Sequence, residues 1–286
     1  MSTQTRTIEH IINCAGIPSF SSFEERIHPY IFGQADKIEG VTVKTIPENN
    51  LLVKIPGRSK GAPVALTAHL DKINHYGENH PEKLPVEEND GYLEGLLDDS
   101  TGLGILLSIM EKSEENNFPT IYLLLSEMEE SYGLRKHPEL LRNNGKNLFH
   151  SMGAENLSRY LIEQKIKPAV IITVDTTPLF KGQNGVALYS RPWEMNEEEP
   201  SLALEQATND IVKQLTSIEP ELRLSNNTND YLSYGRFFNN DPYDPVPSVA
   251  IEPAIYPYHQ KNEKVALQDI QTTERILVTF LEKYGN

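Results

Sequence analysis

Two adjacent carboxylates, Asp98 and Asp99, lie directly before an apolar stretch from Leu103 to Met110 that is typical of a buried helix. A helix N-terminus carries only partial positive charge, which stabilises each nearby acid by roughly 0.3–1 kcal/mol. Two carboxylates in close contact repel each other, so one takes up a proton near neutral pH unless a cation keeps both ionised. The pair is therefore either a helix cap beside a surface acid or one part of a cation site. This stretch alone leaves both interpretations open.

Other residues able to bind a metal follow apolar stretches elsewhere in the chain. Segment 63–68 leads into His69 and Asp71, segment 120–125 into Glu129 and Glu130, and segment 169–174 into Asp175. In open α/β sheets, sites form at the carboxyl ends of the strands, so these side chains are expected to converge. Acidic side chains that lie close together need a positive counter-ion, and two divalent cations are the simplest way to neutralise this group. Histidine nitrogen with carboxylate oxygen suits zinc best, with manganese and cobalt as alternatives.

The three apolar stretches have the continuous hydrophobicity of strands that are buried on both faces. Segments with helical spacing alternate with them, as at Leu204, Ala207, Ile211 and Leu215. This order predicts an α/β fold with helices on both faces of a sheet that is parallel at least at its centre. The polar segment 74–94 contains glycines and prolines and is predicted to be a long loop.

Composition limits the partners and the location of the protein. The 286 residues carry a net charge of −15, which argues against nucleic acid or an anionic membrane as the main partner. Cys14 is the only cysteine, so an internal disulfide and a cysteine-based metal site are both excluded. Residues 1–12 lack the apolar core of a signal peptide, and no run is long enough to span a membrane. We expect a cytoplasmic protein.

Five short motifs follow one another along the chain. They are Ala68-His69-Leu70-Asp71, Leu97-Asp98-Asp99-Ser100-Thr101-Gly102, Met128-Glu129-Glu130, Val174-Asp175-Thr176 and Tyr258-His259. In this order they resemble the motifs of the co-catalytic zinc exopeptidases, the superfamily of leucyl, glutamyl and deblocking aminopeptidases with related carboxypeptidases and deacylases. Segments 17–24 and 50–53 are also similar to this superfamily, so the resemblance covers most of the chain. It implies the zinc-exopeptidase fold, a mostly parallel mixed sheet between helices.

The resemblance also implies two bound metal ions, zinc in the first place, with cobalt or manganese as alternatives. Their ligands would be His69, Asp98, Glu130, Asp175 and His259. Asp98 would bridge both ions. His69 and Asp175 would complete one site, and Glu130 and His259 would complete the other.

Three further residues receive roles from the same resemblance. Glu129 would be the general base, which takes a proton from the metal-bridging water and passes it to the departing amine. Asp71 would not bind metal but would fix the His69 imidazole. Asp99 would support the geometry of Asp98. The reaction would be hydrolysis without a covalent intermediate, and the substrate a short peptide or an amino-acid derivative.

Motif spacing bears on the branch of the superfamily. Asp98 follows His69 by 29 positions, too few for the dimerisation domain that glutamyl and deblocking aminopeptidases carry there. His259 follows Asp175 by 84 positions, too few for the lid domain of dipeptidases and deacylases. We therefore expect residues 1–286 to form a single catalytic domain with neither insert. The local sequences Glu129-Glu130 and Asp175-Thr176-Thr177 nevertheless resemble the glutamyl and deblocking branch more closely, which leaves the subfamily open.

One departure from the superfamily pattern affects the two glutamates. Two residues, Ser131 and Tyr132, precede Gly133-Leu134 where the family has one. A shift of register by one residue would bring Glu127 into the site. Counting along the strand fits without a gap, so Glu129 and Glu130 are kept and Glu127 is an outside alternative.

Other functions and residues stay open at this level. The main hypothesis is an aminopeptidase, and the alternatives are a dipeptidase, carboxypeptidase or N-acyl amino-acid deacylase, a non-catalytic relative, or a protein with one structural metal. Arg191 would favour a carboxypeptidase by holding a substrate carboxylate, and Asp230 suggests amine binding. His75 and His80 could approach the cleft but are not assigned to it. His150, like His10, His28 and His137, is interpreted as a surface or packing residue.

Overall fold

The computed structural model describes residues 3–239 and 245–284, and these form an α/β fold. Its strands are β1 (Thr42–Ile46), β2 (Asn50–Ile55), β3 (Val64–His69), β4 (Glu87–Asn89), β5 (Tyr92–Gly95), β6 (Ile121–Ser126), β7 (Val170–Val174), β8 (Val186–Tyr189), β9 (Arg223–Ser225), β10 (Ser248–Pro253) and β11 (Glu263–Ala266). Its helices are α1 (Thr3–Gly16), α2 (His28–Ala35), α3 (Ser100–Lys112), α4 (Ser131–Lys136), α5 (Met152–Glu163), α6 (Pro192–Asn196), α7 (Leu202–Ile218), α8 (Asp230–Phe238) and α9 (Leu267–Tyr284).

The main sheet has the strand order β1-β2-β6-β3-β7-β10-β8-β9. Its centre is parallel, because β3 pairs in parallel with both β6 and β7, and β7 pairs in parallel with β10. Antiparallel pairing is found for β1 with β2, β2 with β6, and β8 with β10. The predicted mixed sheet, parallel at its centre, is therefore confirmed. The parallel strands β3, β6 and β7 end at one edge, where His69 lies opposite Ser126.

Helices cover both faces of the sheet, as expected for central strands whose residues are buried, with only Tyr122 of β6 partly exposed. The larger core packs α1, α3 and α9 against one face, with Ile11, Leu106 and Leu277 among its members. The smaller core packs α5 and α8 against the other face, where Leu157 and Tyr234 lie. The sheet thus holds its carboxyl edge between two packed layers.

Helix α3 begins directly at the two acids. The Asp99 carboxylate caps it by accepting a hydrogen bond from the Gly102 backbone N–H at 2.7 Å. A Cβ added to Gly102 would lie 2.3 Å from the Val174 carbonyl oxygen, a distance that real Cβ atoms do not show. Glycine is therefore needed for the helix to approach β7 this closely, and the approach brings Asp98 beside the end of that strand.

The segment predicted as a long loop contains part of a second sheet, so that prediction is wrong for residues 87–94. Strands β4 and β5 form a hairpin, and β5 pairs with β11. The two-residue turn Asp90-Gly91 has positive φ at both positions (49° and 84°), the conformation that Asp-Gly turns favour. The three residues of β4 are all exposed, so no alternation of polar and apolar residues marks them in the sequence.

Candidate metal centre

His69 lies at the end of β3 with its two ring nitrogens facing different acids. Nε2 is 3.2 Å from Asp98 Oδ1 and 3.7 Å from Asp175 Oδ1. Nδ1 faces the opposite way and lies 3.3 Å from Asp71 Oδ1. The side chains that follow β3 and β7 therefore meet the acid that precedes α3, as the strand-end argument predicts.

The carboxylate of Asp98 is shared between two histidines. Its Oδ1 faces His69, whereas its Oδ2 lies 3.7 Å from His259 Nε2. His259 Nε2 is also 3.5 Å from Glu130 Oε2. The five residues that the resemblance implies as ligands therefore lie near one another around Asp98.

Pairing of β11 with β5 explains how a histidine so distant in sequence reaches Asp98. Gly95 lies opposite Glu263 in this pairing. The Glu263 carboxylate accepts hydrogen bonds from the backbone N–H groups of Leu97 (2.8 Å) and Asp98 (3.2 Å). The segment that carries His259 is therefore fastened to the segment that carries Asp98.

Asp71 is fully buried and contacts three parts of the centre. Besides facing His69, it accepts hydrogen bonds from the backbone N–H groups of Glu129 (3.0 Å) and Glu130 (3.1 Å) and from the Ser21 hydroxyl (2.7 Å). One carboxylate therefore orients the histidine and the turn that carries both glutamates.

Asp99 lies behind Asp98, and the peptide bond between them is cis. Its two oxygens accept hydrogen bonds from the backbone N–H groups of Gly102 (2.7 Å) and His69 (3.3 Å). A carboxylate oxygen of Asp99 also lies within 4.8 Å of ligand atoms of His69 and Asp175. Asp99 is thus engaged by the backbone on both oxygens at the edge of the cluster.

Burial and mutual repulsion perturb the charges at this centre. Burial, followed by the charge of Asp175, raises the pKa of Asp98 to about 6. Burial also raises the pKa values of Glu129 and Glu130 well above the usual range, and neighbouring acids add to the effect. Burial lowers the pKa of His69, but hydrogen bonds to three aspartates outweigh it and hold that pKa well above normal.

The candidate ligand atoms at the centre, histidine nitrogens and carboxylate oxygens, are of the types that bind divalent cations. His69, Asp98 and Glu130 offer ligand atoms that all lie within 4.8 Å of one another, and His69, Asp99 and Asp175 form a second such group. Two further buried carboxylates, Asp230 and Glu252, each have one oxygen without a hydrogen-bond partner in the part of the chain that the structure describes. Buried acids in this number are costly without positive charge, and imidazole with carboxylate oxygen is a donor set that zinc accepts.

Lys72 lies beside the acids as a buried cation. Its Nζ donates a hydrogen bond to the Ser19 hydroxyl at 2.8 Å, and burial lowers the pKa of the ammonium to about 8. One lysine offsets only a small part of the negative charge that these carboxylates carry when they are ionised.

Comparison with known proteins decides the family. The sequence pattern of the family described as Peptidase family M20/M25/M40 matches residues 65–283, which is most of the chain. The chain belongs to this peptidase family. It is therefore a hydrolase of the co-catalytic zinc exopeptidase superfamily, as its five motifs predict. No curated protein matches it by sequence.

Solved structures of M20-type peptidases and related aminopeptidases share the fold. The aminopeptidase PepT from Bacillus cereus ATCC 10987 is similar with a TM-score of 0.66 and 13% identity, over 99% of each chain. A TET aminopeptidase from the marine sediment archaeon Thaumarchaeota archaeon SCGC AB-539-E09 has a TM-score of 0.69 and 13% identity, over 99% of this chain and 97% of that one. The Pyrococcus horikoshii TET1 peptidase, which can assemble into a tetrahedron or an octahedral shell, has a TM-score of 0.62 and 14% identity, over 96% and 98%.

The sequence leaves Glu127, Arg191 and His80 as alternative site residues of this M20-family chain. In the structure each of them contacts a partner outside the metal centre. Glu127 accepts hydrogen bonds from the backbone N–H groups of Glu48 (3.2 Å) and Asn49 (3.1 Å), so it serves the turn between β1 and β2. Arg191 is exposed and pairs with Glu194 at 2.9 Å. His80 contacts Arg26 on the surface at 3.1 Å.

The sequence interpretation missed several contributors to the centre. The sequence predicts that His150 is a surface or packing residue, and in the structure its Nδ1 forms a hydrogen bond with the backbone carbonyl of Glu129. The adjacent Ser151 donates its backbone N–H to the Met128 carbonyl at 2.7 Å. Glu24 accepts the Met128 N–H at 3.2 Å. His150 and Ser151 lie outside the five motifs and resemble surface residues in type, so the sequence alone contains no signal for them, whereas Glu24 belongs to the segment 17–24 that is similar to the superfamily.

No helix within the described ranges is long and apolar enough to cross a membrane.

Proposed function

We propose that this chain is an aminopeptidase that releases N-terminal residues from short peptides. Membership of the peptidase family supports the reaction class. The observation that carries the proposal is the position of Asp98, whose two oxygens face His69 and His259. A carboxylate placed between two histidines in this way suits a centre for two cations, whereas a single structural metal would need only one of these groups.

Two zinc ions would be held by this donor set, one by His69 and Asp175 and the other by Glu130 and His259, with Asp98 shared. When bound, such ions polarise the scissile carbonyl and lower the pKa of a water molecule. Cobalt and manganese accept the same nitrogen and oxygen donors and are the alternatives.

Glu129 is proposed as the general base. It is nearly buried and follows β6 at the edge of the centre, and its backbone is held by Asp71 and His150. The carboxylate would accept a proton from the attacking water and return it to the leaving amine. Asp71 would keep the His69 ring in place while fixing the turn that carries Glu129.

The contacts of Arg191 bear on the carboxypeptidase alternative. Because Arg191 is paired with Glu194 on the surface, it offers no support for a substrate-carboxylate site at that position. We further propose that the chain is one catalytic domain without a lid or dimerisation insert, and that it acts in the cytoplasm.

Metal restoration with two kinds of substrate tests the proposed activity. Chelated protein is titrated with zinc and assayed on amino-acid p-nitroanilides with a free amine and on their N-acetylated forms. We expect activity to return with zinc on the free-amine substrates only. Activity confined to the N-acylated forms would overturn the aminopeptidase in favour of a deacylase, and zinc binding without hydrolysis of either would favour a non-catalytic relative.

A further inference from the structure

The sequence contains two Asn-Gly pairs, Asn144-Gly145 and Asn184-Gly185. In such a pair the backbone nitrogen of the glycine can attack the side-chain carbonyl carbon of the asparagine, because glycine has no side chain to obstruct the approach. The attack needs a glycine N–H that is not engaged elsewhere and a backbone that can rotate. The structure separates the two pairs on both requirements.

The pair Asn184-Gly185 is held in place directly before β8. The Gly185 N–H donates a hydrogen bond to Asp269 Oδ2 at 2.8 Å, and the Gly185 carbonyl accepts one from the Ala254 N–H at 2.9 Å. The side-chain oxygen of Asn184 accepts a hydrogen bond from the Tyr92 hydroxyl at 3.1 Å. Attack by the Gly185 nitrogen therefore requires that these contacts open first.

The pair Asn144-Gly145 lies in an exposed turn between α4 and α5. Asn143, Asn144 and Gly145 all have positive φ, at 51°, 53° and 70°. The left-handed conformation costs a residue with a Cβ roughly 1–2 kcal/mol, so this turn exchanges conformations readily. Within the described ranges, no side chain accepts the Gly145 N–H and the Asn144 side chain has no hydrogen-bond partner. This pair therefore meets both requirements.

The reaction at Asn144 consists of a cyclisation and a hydrolysis. The Gly145 nitrogen forms a bond to Asn144 Cγ, the bond from Cγ to Nδ2 breaks, and the amide nitrogen leaves with the N–H proton as ammonia. Water then opens the succinimide ring at one of its two carbonyl carbons and gives aspartate or isoaspartate. Water is the only co-reactant, and nothing is oxidised or reduced. In isoaspartate the main chain runs through Cβ and Cγ, so it becomes longer by one CH₂ group.

The chain before this turn is fixed. The Arg142 N–H donates a hydrogen bond to the Ser22 hydroxyl at 3.0 Å, and the Arg142 guanidinium lies 4.8 Å from the centroid of the Phe23 ring. Leu141 is buried. The added length must therefore be taken up after the turn, in residues 146–149, which are mostly exposed.

Residues 146–149 lead directly into two contacts with the turn that carries the proposed base. His150 Nδ1 forms a hydrogen bond with the Glu129 carbonyl, and the Ser151 N–H donates one to the Met128 carbonyl at 2.7 Å. A displacement of residues 146–149 acts on these two contacts first. A change of chain length at Asn144 therefore reaches Glu129.

We propose that Asn144 is a site of spontaneous deamidation, and that its isoaspartyl product weakens the contacts of His150 and Ser151 with the turn that carries Glu129. The modification is independent of the proposed aminopeptidase activity, whereas its effect on hydrolysis rests on that activity. The protein therefore loses activity with age, at a rate set by this turn.

The first part of the test measures modification at both pairs. Zinc-loaded full-length protein is incubated in mildly alkaline buffer, deamidation is followed by peptide mapping with mass spectrometry, and isoaspartate is labelled with isoaspartate O-methyltransferase. We expect Asn144 to react about tenfold or more faster than Asn184, because the contacts of Gly185 must open locally before it reacts. In urea, where neither turn is folded, the two rates should become similar.

The second part measures the effect on the turn of Glu129 with strain-matched variants. Asn144→Gln and Asn143→Gln each place glutamine at a left-handed position, at φ of 53° and 51°, but only Asn143→Gln keeps the reactive pair. On ageing, the wild type and Asn143→Gln should lose kcat on an amino-acid p-nitroanilide in proportion to their isoaspartate content. Their Ser151 N–H should also exchange faster with solvent. Asn144→Gln should keep both properties of fresh protein.

The outcomes separate this inference from the proposed function. Equal rates at Asn144 and Asn184 in the folded protein would overturn the modification site. Isoaspartate at Asn144 with unchanged kcat and unchanged exchange at Ser151 would overturn its effect on the turn. Absence of hydrolysis by fresh protein with two zinc ions bound would remove the proposed function, and the isoaspartate and exchange measurements would still decide this inference.

Discussion

Asp98 combines two contacts that a helix cap would not need. A capping acid directs its oxygens at the backbone N–H groups of the first turn, and Asp99 does this. Asp98 directs its oxygens at His69 and His259 instead. The two interpretations that the adjacent acids allow therefore apply to one residue each: Asp99 is the cap, and Asp98 belongs to the candidate metal centre.

Substitution of the proposed base should separate chemistry from metal binding. Glu129→Gln keeps the shape of the side chain but cannot take a proton, so we expect kcat to fall by about a hundredfold or more. Zinc content, measured by atomic absorption, should stay at the wild-type value. Glu163→Gln, an exposed change on α5, is the control and should leave kcat unchanged. Full turnover by Glu129→Gln would show that another group is the base.

His150 should act on catalysis through the position of Glu129. In His150→Phe the Glu129 carbonyl loses its partner, so the turn can shift and kcat should fall by roughly tenfold, with KM within about twofold. His150→Asn places an amide N–H near the former Nδ1 and should recover most of kcat. Equal losses in both variants, or a loss in thermal stability alone, would contradict a positioning role.

At the scale of elements, tight backbone contacts hold the centre together. The first turn of α3 lies against the end of β7, and the hairpin of β4 and β5 carries β11 to the Asp98 segment. Each of these contacts joins segments that are far apart in sequence. The positions of the side chains in the centre therefore depend on a few close contacts between backbone segments. Such a contact can be tested by adding one methyl group to it.

Gly102→Ala should destabilise the fold. Its new methyl group would lie 2.3 Å from the Val174 carbonyl, so α3 must move, at a cost of about 1–3 kcal/mol in the free energy of unfolding. Gly33→Ala is the matched control, because a Cβ there meets nothing within 4 Å and α2 should gain roughly 0.5–1 kcal/mol. Urea unfolding measures both. Equal stability of Gly102→Ala and wild type would refute the close approach of α3 to β7.

Glu24 links the turn before α2 to the Met128 backbone and should make stability depend on pH. Burial, followed by the charge of Asp71, raises its pKa from 4.5 to about 8. The folded state therefore binds a proton that the unfolded state has released, and this contribution is complete below pH 4.5 and lost as pH rises through 8.

Urea unfolding of zinc-free protein between pH 5 and 8 checks the Glu24 prediction. The free energy of unfolding of the wild type should fall with pH more steeply than that of Glu24→Gln. The exposed control Glu39→Gln should follow the wild type. Parallel curves for wild type and Glu24→Gln would contradict it.

At the scale of the whole molecule, acids from four parts of the chain lie together in the candidate metal centre, so we expect cation binding to stabilise the folded state. A ligand that binds only the folded state stabilises it by about 2.7 kcal/mol at a hundred times its Kd. We expect chelation to lower Tm, and zinc to restore it with two ions per chain. Glu130→Gln should bind one ion fewer. Saturation at one ion in the wild type would overturn the two-ion centre.

Much of the centre could be predicted from residue types and their order. Continuous apolar segments in the sequence predict the buried strands. Polar residues at the ends of these strands are expected to lie close together, because parallel strands end at the same edge of the sheet. His69, Asp71 and Asp175 are of this kind. The five motifs added His259, whose position after a turn-rich segment offered no independent signal. The roles of these residues and the one-domain organisation stay predictions.

Tertiary structure alone decided the rest. A buried Glu24, Glu252 or Glu263 has the same residue type as a solvated surface acid, and only long-range packing removes it from water. The sharing of Asp98 between two histidines depends on pairing of β5 with β11, in which Gly95 lies opposite Glu263. Local secondary-structure propensity does not predict such pairing, because the free energy that stabilises the pairing comes from contacts between segments that are distant along the chain. The sequence thus predicts which residues follow the buried strands and that they meet at one edge, whereas the buried carboxylates and the pairing of β5 with β11 are decided by the tertiary structure.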